Sequence, residues 1–334
     1  MRVLVTGATG FIGRHLVREV AREGSVELLA LVRSSSRVDA LRRSGVTLVT
    51  GDVLDRGSLE AAVRGVDVVF HLAGLVRALR AHELDRVNRD GVRHLVEACA
   101  SRQSPPALVL VSSLAAAGPS EDRPRVESDP PRPVSSYGWS KLAGENAAAG
   151  LAREVPITVV RPPIVFGASD RATGTLFRLV ARGWHLAPGP DDRRYSLVHA
   201  EDLARMLMRA AERGERLADA CEDPGRGRYF AAFDAAPTGR ELGLLLARAL
   251  GRERVRTLRP PDLMTWGTAA LADAAAWITR RPGVLSWDKA REMTAGSWTC
   301  SSRKAERDLR FEPAAPLEER LRETAAWYRS EGWL

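Results

Sequence analysis

Residues 2–13 read RVLVTGATGFIG: a run of β-forming residues, a turn with glycines spaced G-x-x-G-x-x-G, and the start of a helical pattern. The glycines are Gly7, Gly10 and Gly13. Glycine lets a backbone approach a ligand closely, and the free N–H groups and positive dipole end of a helix favour a pyrophosphate. A strand, a glycine-rich turn and a helix in this order therefore predict a dinucleotide-binding loop.

The first half of the chain continues by alternating strand patterns with helix patterns. The strand patterns cover 2–6, 27–32, 46–50, 66–71, 107–112 and 156–161, and the helix patterns cover 12–23, 88–102 and 137–153. Such alternation predicts an α/β fold, here a Rossmann-type doubly wound parallel sheet with helices on both faces.

Helical patterns dominate beyond Gly167. They cover 173–183, 200–213, 238–250, 262–280, 286–294 and 317–330, and one short strand pattern lies at 195–199. We therefore expect a dinucleotide-binding domain over 1–167, to which parts of 195–215 return. The remainder, 168–334, is expected to form a smaller, mostly helical substrate lobe over the carboxyl ends of the strands.

The net charge of +8 does not indicate a nucleic-acid-binding protein. Of the 50 basic residues only Lys141, Lys289 and Lys304 are lysines, and the arginines are scattered among 42 acidic residues with no basic run that contains interleaved aromatics. With 45% hydrophobic residues the 334-residue chain can build a packed core. We expect a small-molecule ligand and no nucleic-acid partner.

Cysteine and leader patterns favour a cytoplasmic protein. Cys99, Cys221 and Cys300 are far apart and odd in number, which argues against a disulfide framework or a zinc cluster. No charged-then-apolar leader precedes the first strand pattern, so no signal peptide is expected. The apolar stretch 264–279 contains Asp273 and is too short for a membrane span. Trp266 and Trp277 are 11 residues apart and hence on one helix face, for which core packing is the favoured interpretation. The alternative is that 264–279 forms a lid, a substrate wall or a membrane-surface contact.

Tyr137-Gly-Trp-Ser-Lys141 places a phenol and an ammonium four residues apart at the start of a helix, hence on one face. A nearby cation favours the phenolate, so we expect Lys141 to lower the pKa of Tyr137 toward neutrality. Such a phenol can exchange a proton with a substrate oxygen while a hydride moves to or from the adjoining carbon. Ser112 and Ser113 end the preceding strand and can offer a hydroxyl to the same oxygen.

The end of the second strand bears on the choice of cofactor. An acid there accepts the 2′-hydroxyl of the adenosine ribose, whereas an arginine pairs with a 2′-phosphate. This chain has Leu31-Val32-Arg33-Ser34, with Arg37 nearby and no acid in the run. NADP is therefore favoured and NAD is the second choice, although Arg33 in an arginine-rich chain can also be an ordinary solvated residue.

These motifs together resemble the extended short-chain dehydrogenase/reductase family, also called the NAD-dependent epimerase/dehydratase family. The resemblance covers nearly the whole chain. Its motifs are TGATGFIG (6–13), GDVLD (51–55), HLAG (71–74), VNRDG (87–91), VSS (111–113), YGWSK (137–141), RPPIVFG (161–167), SLVHAEDLA (196–204) and KAERDLRFEP (304–313).

The resemblance implies roles for individual residues. Tyr137 is the acid/base, and Lys141 binds the nicotinamide ribose. Ser113 matches the catalytic hydroxyl better than Ser112, and Asn88 opens a helix that orders the site. With the residues already discussed, the candidate cofactor contacts are Gly7, Thr9, Gly10, Phe11, Ile12, Gly13, Arg33, Ser34, Asp52, Val53, Leu72, Ala73, Gly74, Lys141, Pro162 and Ile164. No metal ligand is expected.

Departures from the family pattern narrow the activity. Leu114-Ala115 follows the catalytic hydroxyl where the family's sugar dehydratases have Asp-Glu, so dehydration is not expected. Tyr195 stands where members that use nucleotide sugars commonly have an arginine, although Arg193 or Arg194 could still reach a diphosphate. The end of the second strand is similar to dihydroflavonol reductases, and the C-terminal segment is similar to 3β-hydroxysteroid dehydrogenases.

The resulting hypothesis is an NAD(P)-dependent oxidoreductase that interconverts a ketone and a secondary alcohol on a fairly apolar substrate. One alternative is a nucleotide-sugar epimerase with tightly bound NAD. A second is a non-catalytic dinucleotide-sensing protein, although such proteins usually lose the tyrosine or the lysine. The resemblance also implies a homodimer through the helices near 88–102 and 139–153.

Overall fold

The structure is a computed structural model that describes residues 1–189, 192–218, 223–280, 283 and 286–334. Cys221 lies outside the described residues. The strands are β1 (Arg2–Thr6), β2 (Glu27–Val32), β3 (Thr47–Thr50), β4 (Val68–His71), β5 (Ala107–Val111), β6 (Ile157–Arg161), β7 (Ile164–Phe166), β8 (Trp184–Leu186), β9 (Leu197–His199), β10 (Arg228–Phe230) and β11 (Arg256–Leu258).

The helices cover the sheet and make up most of the second half of the chain, the residues after Gly167. They are α1 (Phe11–Arg22), α2 (Asp39–Arg42), α3 (Arg56–Ala62), α4 (Ala81–Asp85), α5 (Gly91–Ala100), α6 (Leu114–Ala117), α7 (Ser136–Ala149), α8 (Arg171–Ala181), α9 (Ala200–Arg213), α10 (Gly239–Ala249), α11 (Asp262–Thr279), α12 (Trp287–Thr294), α13 (Arg303–Leu309) and α14 (Leu317–Ser330). A π-helical turn, Arg86–Asp90, joins α4 to α5.

The central sheet has the strand order β3-β2-β1-β4-β5-β6-β10 among the described residues, and its pairings are parallel. The order of the first six is that of a Rossmann sheet, whose direction reverses between β1 and β4. At such a reversal the loops that follow the two strands diverge, so a crevice opens at their carboxyl ends. The predicted Rossmann-type parallel sheet is confirmed.

Strand β1 shows how the sheet separates two apolar cores. Val3 and Val5 belong to one core and Leu4 to the other, because successive side chains of a strand point to opposite faces. Helices α1 and α9 cover the first face, and α3, α5 and α7 cover the second. Helix α5 buries apolar residues at the spacing i, i+3, i+4 and i+7, which turns one stripe of the helix toward the sheet (Val92, Leu95, Val96 and Cys99).

The seventh strand, β10, was not predicted. Residues 228–230 pair in parallel with β6, with Tyr229 opposite Val160. Helix α13 also packs toward the first half, since Ala305 and Leu309 join the core that contains α1 and α9. Both segments lie beyond residue 167 in the chain. The division of the chain at that residue stays a prediction.

The rest of the second half forms its own apolar core. Phe166, Phe177 and Tyr328 are fully buried in it, and helices α8, α10 and α14 surround them. Two small parallel ribbons, β7–β9 and β8–β11, border this core. Thr238 and Glu241 form a capping box at the start of α10, which satisfies backbone N–H groups at both positions. Within the described residues no helix combines the length and the apolar character that crossing a membrane requires.

Candidate active site

The loop after β1 and the first turn of α1, residues 7–13, form a concave backbone surface, here called the glycine cradle. Gly7 has a φ of +73°, and a Cβ there would lie 2.6 Å from the backbone N of Ala73. A Cβ at Gly13 would lie 2.3 Å from the carbonyl oxygen of Gly7. Gly10 is the N-cap of α1 and supplies no side-chain cap, so the first turn of this described helix presents backbone N–H groups. Phosphate oxygens fit this loop because they accept such hydrogen bonds.

The loop after β4 lies against this cradle across the strand-order reversal. The backbone N–H of Leu72 donates to Thr6 O at 3.1 Å, and Ala73 N donates to Thr6 Oγ1 at 3.3 Å. These bonds fix the direction in which residues 72–74 leave the sheet. The predicted contacts Leu72, Ala73 and Gly74 therefore lie beside the glycine turn.

The remaining predicted cofactor residues border the same crevice on two other sides. Asp52 follows β3, and its Oδ1 accepts a hydrogen bond from Leu54 N at 3.0 Å. Val53 is buried, and its Cγ2 would lie 3.0 Å from a Cβ at Gly91. Beyond β6, the carbonyl of Pro162 accepts from Leu114 N at 2.9 Å, and Ile164 begins β7. Thr9, Phe11 and Ile12 are half-buried in and after the glycine turn.

Arg33 and Ser34 are exposed immediately after β2. Residues 33–36 form a turn in which Ser36 N donates to Arg33 O at 2.9 Å and Arg33 N donates to Ser36 Oγ at 3.2 Å. Strand β2 pairs with β1, so this turn lies one strand away from the glycine loop. A guanidinium at this position suits the adenosine end of a dinucleotide.

Asn88 is buried within the π-helical turn 86–90 and does not open a helix, so that part of the prediction is wrong. The helical run begins at Ala81, because α4 continues through the π turn into α5. The extra residue of a π turn turns the Asn88 amide toward the preceding loop, where its Oδ1 accepts from Leu75 N at 2.8 Å and its Nδ2 donates to Leu75 O at 2.8 Å. Nδ2 also donates to Ser140 Oγ at 2.9 Å. Asn88 thus joins the loop after β4 to the helix that carries Tyr137.

The Ser113 hydroxyl lies beside the phenol of Tyr137, whose pKa it acts to lower. Ser113 is the N-cap of α6 and its Oγ accepts from Ala115 N at 3.1 Å, which fixes its side chain at the carboxyl end of β5. Ser112 points elsewhere, since its Oγ donates to Glu145 Oε1 at 2.5 Å in the interior. Of the two serines proposed from the sequence, Ser113 faces the phenol.

Burial raises the pKa of Tyr137 to about 12, with Glu292 adding to the increase and the Ser113 hydroxyl opposing it. The prediction that Lys141 lowers this pKa toward neutrality is wrong in this structure. The Lys141 ammonium donates to Val111 O at 2.7 Å, and removal of the phenol from water outweighs any attraction to a cation. Tyr137 is therefore a protonated phenol at neutral pH.

Lys141 is buried beside the same loops. Burial lowers its pKa to about 8, and Glu145 opposes that change. A Cβ at Gly74 would lie 3.8 Å from Nζ, so the ammonium is beside the loop after β4. An ammonium has three donors. Val111 O takes one of them, and the others are available for ligand hydroxyls.

A buried ion-pair cluster lies in the interior next to Lys141. Glu145, one turn after Lys141 on α7, contacts the guanidinium of Arg161 at 2.6 Å and that of Arg228 at 3.4 Å. Although burial acts in the opposite direction, the two arginines hold the pKa of Glu145 below its usual value. The cluster ties α7 to β6 and β10.

The N-terminus of α7 is held by a helix from the second half, which sequence reasoning did not foresee. The backbone N–H groups of Ser136 and Tyr137 donate to the two carboxylate oxygens of Asp288 at 2.7 and 3.1 Å. The N-cap Ser135 donates from its Oγ to Glu292 Oε1 at 2.7 Å. Both carboxylates belong to α12. Ser135 could have been found from its position as a cap ahead of an apolar helix, whereas Asp288 has no local signal.

The two arginines considered for a diphosphate have other partners. The guanidinium of Arg193 is buried and donates to the carbonyls of Met293 and Thr294 at the end of α12. Arg194 donates to Ala236 O at 2.9 Å.

Among the described residues no group of three or more His, Cys, Asp or Glu side chains could hold a metal ion. Cys99 and Cys300 are buried, and burial raises the pKa of each thiol to about 12.

The chain is similar to several known proteins over its full length. The ceramide reductase of Caulobacter vibrioides is 34% identical over 333 residues, which cover 99% of this chain and 96% of that protein. Sterol demethylase protein B of Methylococcus capsulatus is 28% identical over 347 residues, which cover 100% of both chains. Among solved structures, the UDP-glucose 4-epimerase of Thermotoga maritima superposes with a TM-score of 0.77 at 21% identity over 99% of each chain, which shows a shared fold.

The family comparison agrees with the fold and the motifs. The sequence model of the NAD dependent epimerase/dehydratase family matches residues 3–220, which include the glycine loop, Ser113, Tyr137 and Lys141. The chain therefore belongs to the NAD-dependent epimerase/dehydratase family of extended short-chain dehydrogenases/reductases.

Proposed function

We propose that this chain is an oxidoreductase that reduces a ketone to a secondary alcohol on an apolar, lipid-like molecule, with NADP(H) as the preferred cofactor. The observation that carries the proposal is the position of the Ser113 hydroxyl beside the phenol of Tyr137 at the carboxyl end of β5. Two hydroxyls in this arrangement can both bind one substrate oxygen. Lys141 lies on the same face of α7.

Family membership supports a nicotinamide dinucleotide, and the loops of this chain fit one. The first turn of α1 and the glycine cradle would hold the pyrophosphate, and Arg33 with Ser34 would hold the adenosine end. When bound, the nicotinamide ring supplies the hydride of the reduction and accepts it in the reverse reaction. The exposed Arg33 favours a 2′-phosphate and hence NADP over NAD.

The protonation state of Tyr137 suits a proton donor. Its pKa of about 12 keeps the phenol protonated at neutral pH, so the group is ready to donate a proton to a carbonyl oxygen that gains negative charge. Ser113 orients that oxygen with its hydroxyl, which the N-cap bond to Ala115 N fixes in direction.

Lys141 and Asn88 position the other groups of the site. The Lys141 ammonium uses Val111 O as one acceptor and can offer its other donors to ribose hydroxyls. Asn88 holds the loop after β4 against Ser140, one residue before Lys141. A shift of either residue would change the distance between Tyr137 and a substrate bound over the nicotinamide ring.

An apolar substrate is favoured by the relatives' names and by the arginines. Two of the full-length relatives are a ceramide reductase and a sterol demethylase protein. Arg193 is buried against two backbone carbonyls, which leaves it poorly placed for a sugar diphosphate. A nucleotide-sugar epimerase therefore has less support, and a non-catalytic sensor does not account for the Ser113–Tyr137 pair.

The test is a turnover assay with purified protein. Consumption of NADPH and of NADH is followed with long-chain aliphatic ketones, ketosteroids, and a ceramide in which one hydroxyl has been oxidised to a ketone. We expect stoichiometric consumption of NADPH with at least one apolar ketone. Epimerisation of a nucleotide sugar without net cofactor change would contradict the proposal. So would cofactor binding without turnover of any ketone. The homodimer through α5 and α7 and the cytoplasmic location stay predictions.

A further inference from the structure

Helix α11 turns an apolar face to solvent. Its large apolar side chains are exposed to an unusual degree: Leu263 by 84%, Met264 by 59%, Leu271 by 73%, Trp277 by 55% and Ile278 by 84%. Gly267, Ala270 and Ala274 complete this face, because they recur at the three- and four-residue spacing that lines one side of a helix. An 18-residue helix is about 27 Å long, so the apolar face is an extended stripe.

The apolar stripe of α11 has no charged side chain directed to solvent between Leu263 and Thr279. Asp273 is the only charged residue between Leu263 and Thr279. Its carboxylate is turned inward, where Oδ2 accepts from Trp287 N at 2.8 Å. A surface helix of a soluble protein normally points its charges outward and its apolar residues inward. An exposed apolar stripe of this size marks an interaction surface.

Contacts on the inner side fix α11 in this orientation. Thr265, Ala269 and Ala276 are buried, and the ring of Trp266 packs against that of Trp287 with centroids 4.6 Å apart. Because α11 packs against the rest of the protein through these inner residues, its apolar outer face is left exposed to solvent.

Arginines flank this apolar stripe at both ends. Arg254 and Arg256 precede α11 and are exposed, and Arg280 follows it and is exposed. The guanidinium of Arg256 lies over the ring of Trp184 at 5.4 Å. This places a cation beside further exposed apolar residues of the β8–β11 ribbon (Trp184, Leu186 and Leu258). Apolar side chains bordered by tryptophan and arginine match the acyl boundary and the anionic headgroups of a lipid surface.

The charge around the docking face favours an anionic partner. Exposed arginines outnumber exposed acids at the first end of α11 (Arg252, Arg254, Arg256 and Arg259 against Glu253 and Asp262), and Arg280 lies at the other end, so each end of the face has an excess of positive charge. Anionic headgroups neutralise both ends at once.

We propose that α11 and the β8–β11 ribbon form a docking face that binds the surface of an anionic lipid bilayer. The face adjoins the candidate active site. Arg80 stacks on Trp277 at 5.7 Å, and Arg80 follows the loop in which Leu75 is bonded to Asn88. Docking would therefore bring the segment that follows β4 close to the bilayer. The entry of a lipid substrate from that bilayer rests on the proposed function; the docking does not.

The test measures vesicle binding apart from turnover. Full-length protein is sedimented with vesicles of phosphatidylcholine alone and of phosphatidylcholine mixed with phosphatidylglycerol. The variant is Leu271→Ser/Ile278→Ser, and the matched control is Leu176→Ser/Leu334→Ser, two exposed leucines outside the docking face. Thermal unfolding of each variant verifies folding, and NADPH oxidation with a water-soluble ketone measures basal activity.

We expect the wild-type chain and the control to bind the anionic vesicles, and the Leu271/Ile278 variant to bind about tenfold or more weakly with unchanged turnover of the soluble ketone. Equal binding by both variants would overturn the docking face. If neither the wild-type chain nor the Leu271/Ile278 variant binds vesicles, and the wild type is a dimer whereas the variant is a monomer, the face would instead bind a second copy of the chain. A wild-type chain that binds vesicles but reduces no ketone would contradict the proposed function alone.

Discussion

The backbone N–H of Ser136 donates a 2.7 Å hydrogen bond to Oδ1 of Asp288, which lies 152 residues further along the chain. A carboxylate at the N-terminus of a helix satisfies free N–H groups and complements the positive end of the helix dipole. The helix held in this way carries Tyr137 and Lys141. The geometry of the candidate active site therefore depends on α12.

Replacing Asp288 tests this dependence. Asp288→Ala should lower the free energy of unfolding by about 1 kcal/mol and lower kcat for the ketone, because the start of α7 loses two acceptors. The dissociation constant of the cofactor should stay unchanged. Asp288→Asn keeps one acceptor oxygen and should restore part of kcat, and Asp262→Ala, in the first turn of α11, serves as the control. A wild-type kcat in Asp288→Ala would refute the positioning role.

Tyr137→Phe tests the proton donor. The change removes only the hydroxyl, so kcat should fall by about 10²–10⁴-fold while binding of NADPH, followed by fluorescence titration, remains the same. Tyr328→Phe is the matched control, because that hydroxyl donates to Asp170 O at 2.6 Å in the core of the second half. If Tyr137→Phe retained turnover close to that of Tyr328→Phe, the assignment of the acid would be wrong.

The buried ammonium of Lys141 predicts a specific pH dependence of stability. Its folded pKa of about 8 lies below the ordinary value of 10.5, so the unfolded chain binds more protons between these two values. Stability should therefore rise with pH in that window, and below pH about 8 the full cost of burying the charge is present. Lys141→Met removes this cost, on the order of 3 kcal/mol, and should be more stable at neutral pH although inactive.

Denaturant unfolding from pH 7 to pH 10 measures this effect as the difference between wild type and Lys141→Met. Lys289→Met, at an exposed position, is the control for the loss of a lysine. A difference between wild type and Lys141→Met that stays constant from pH 8 to pH 10 would mean that the folded pKa of Lys141 is not lowered.

Glu145 should be needed for stability above its pKa. Glu145→Gln leaves Arg161 and Arg228 buried without a counter-charge and should lower the free energy of unfolding by about 3–5 kcal/mol. Because the folded pKa of Glu145 is below its ordinary value of 4.5, its contribution is present above that value and is lost as pH falls through the folded pKa. Wild type and variant should converge in acid. Persistence of the full difference there would contradict the lowered pKa.

Arg33→Ala tests the cofactor preference. Loss of a guanidinium that pairs with the 2′-phosphate should weaken NADPH binding by roughly 10- to 100-fold and leave NADH binding nearly unchanged. Arg43→Ala, at another exposed arginine after α2, should change neither affinity. If Arg33→Ala weakened the binding of NADPH and NADH equally, Arg33 would not be the residue that pairs with the 2′-phosphate.

Local patterns were enough to predict the first part of the fold and much of the candidate site. Gly7 and Gly13 are recognisable because each position excludes a Cβ by contact with nearby backbone, and such a restriction leaves a glycine in the sequence. Tyr137 and Lys141 are four residues apart on one helix, so their common face follows from helical geometry. The parallel sheet follows from the alternation of strand and helix patterns.

The features that sequence reasoning missed depend on contacts between distant segments. Strand β10 has only three residues, too few to show a strand pattern, and it forms because β6 offers a free edge. The contact between Asp288 and Ser136 has no local signal. The predicted direction of the Tyr137 pKa shift was wrong. The spacing of Tyr137 and Lys141 predicts that the two side chains are close, but it does not predict the burial of the phenol, which has the larger effect on the pKa.

The position of β10 at the edge of the sheet has a consequence for synthesis. A nascent chain that has emerged only as far as β6 contains the glycine loop but not Arg228, so Glu145 then has only Arg161 as an arginine partner. The first N–H groups of α7 gain the carboxylate of Asp288 only when α12 has also left the ribosome. The residues that would bind the pyrophosphate are thus made early in translation, whereas the contacts that hold the start of the catalytic helix are completed only near its end.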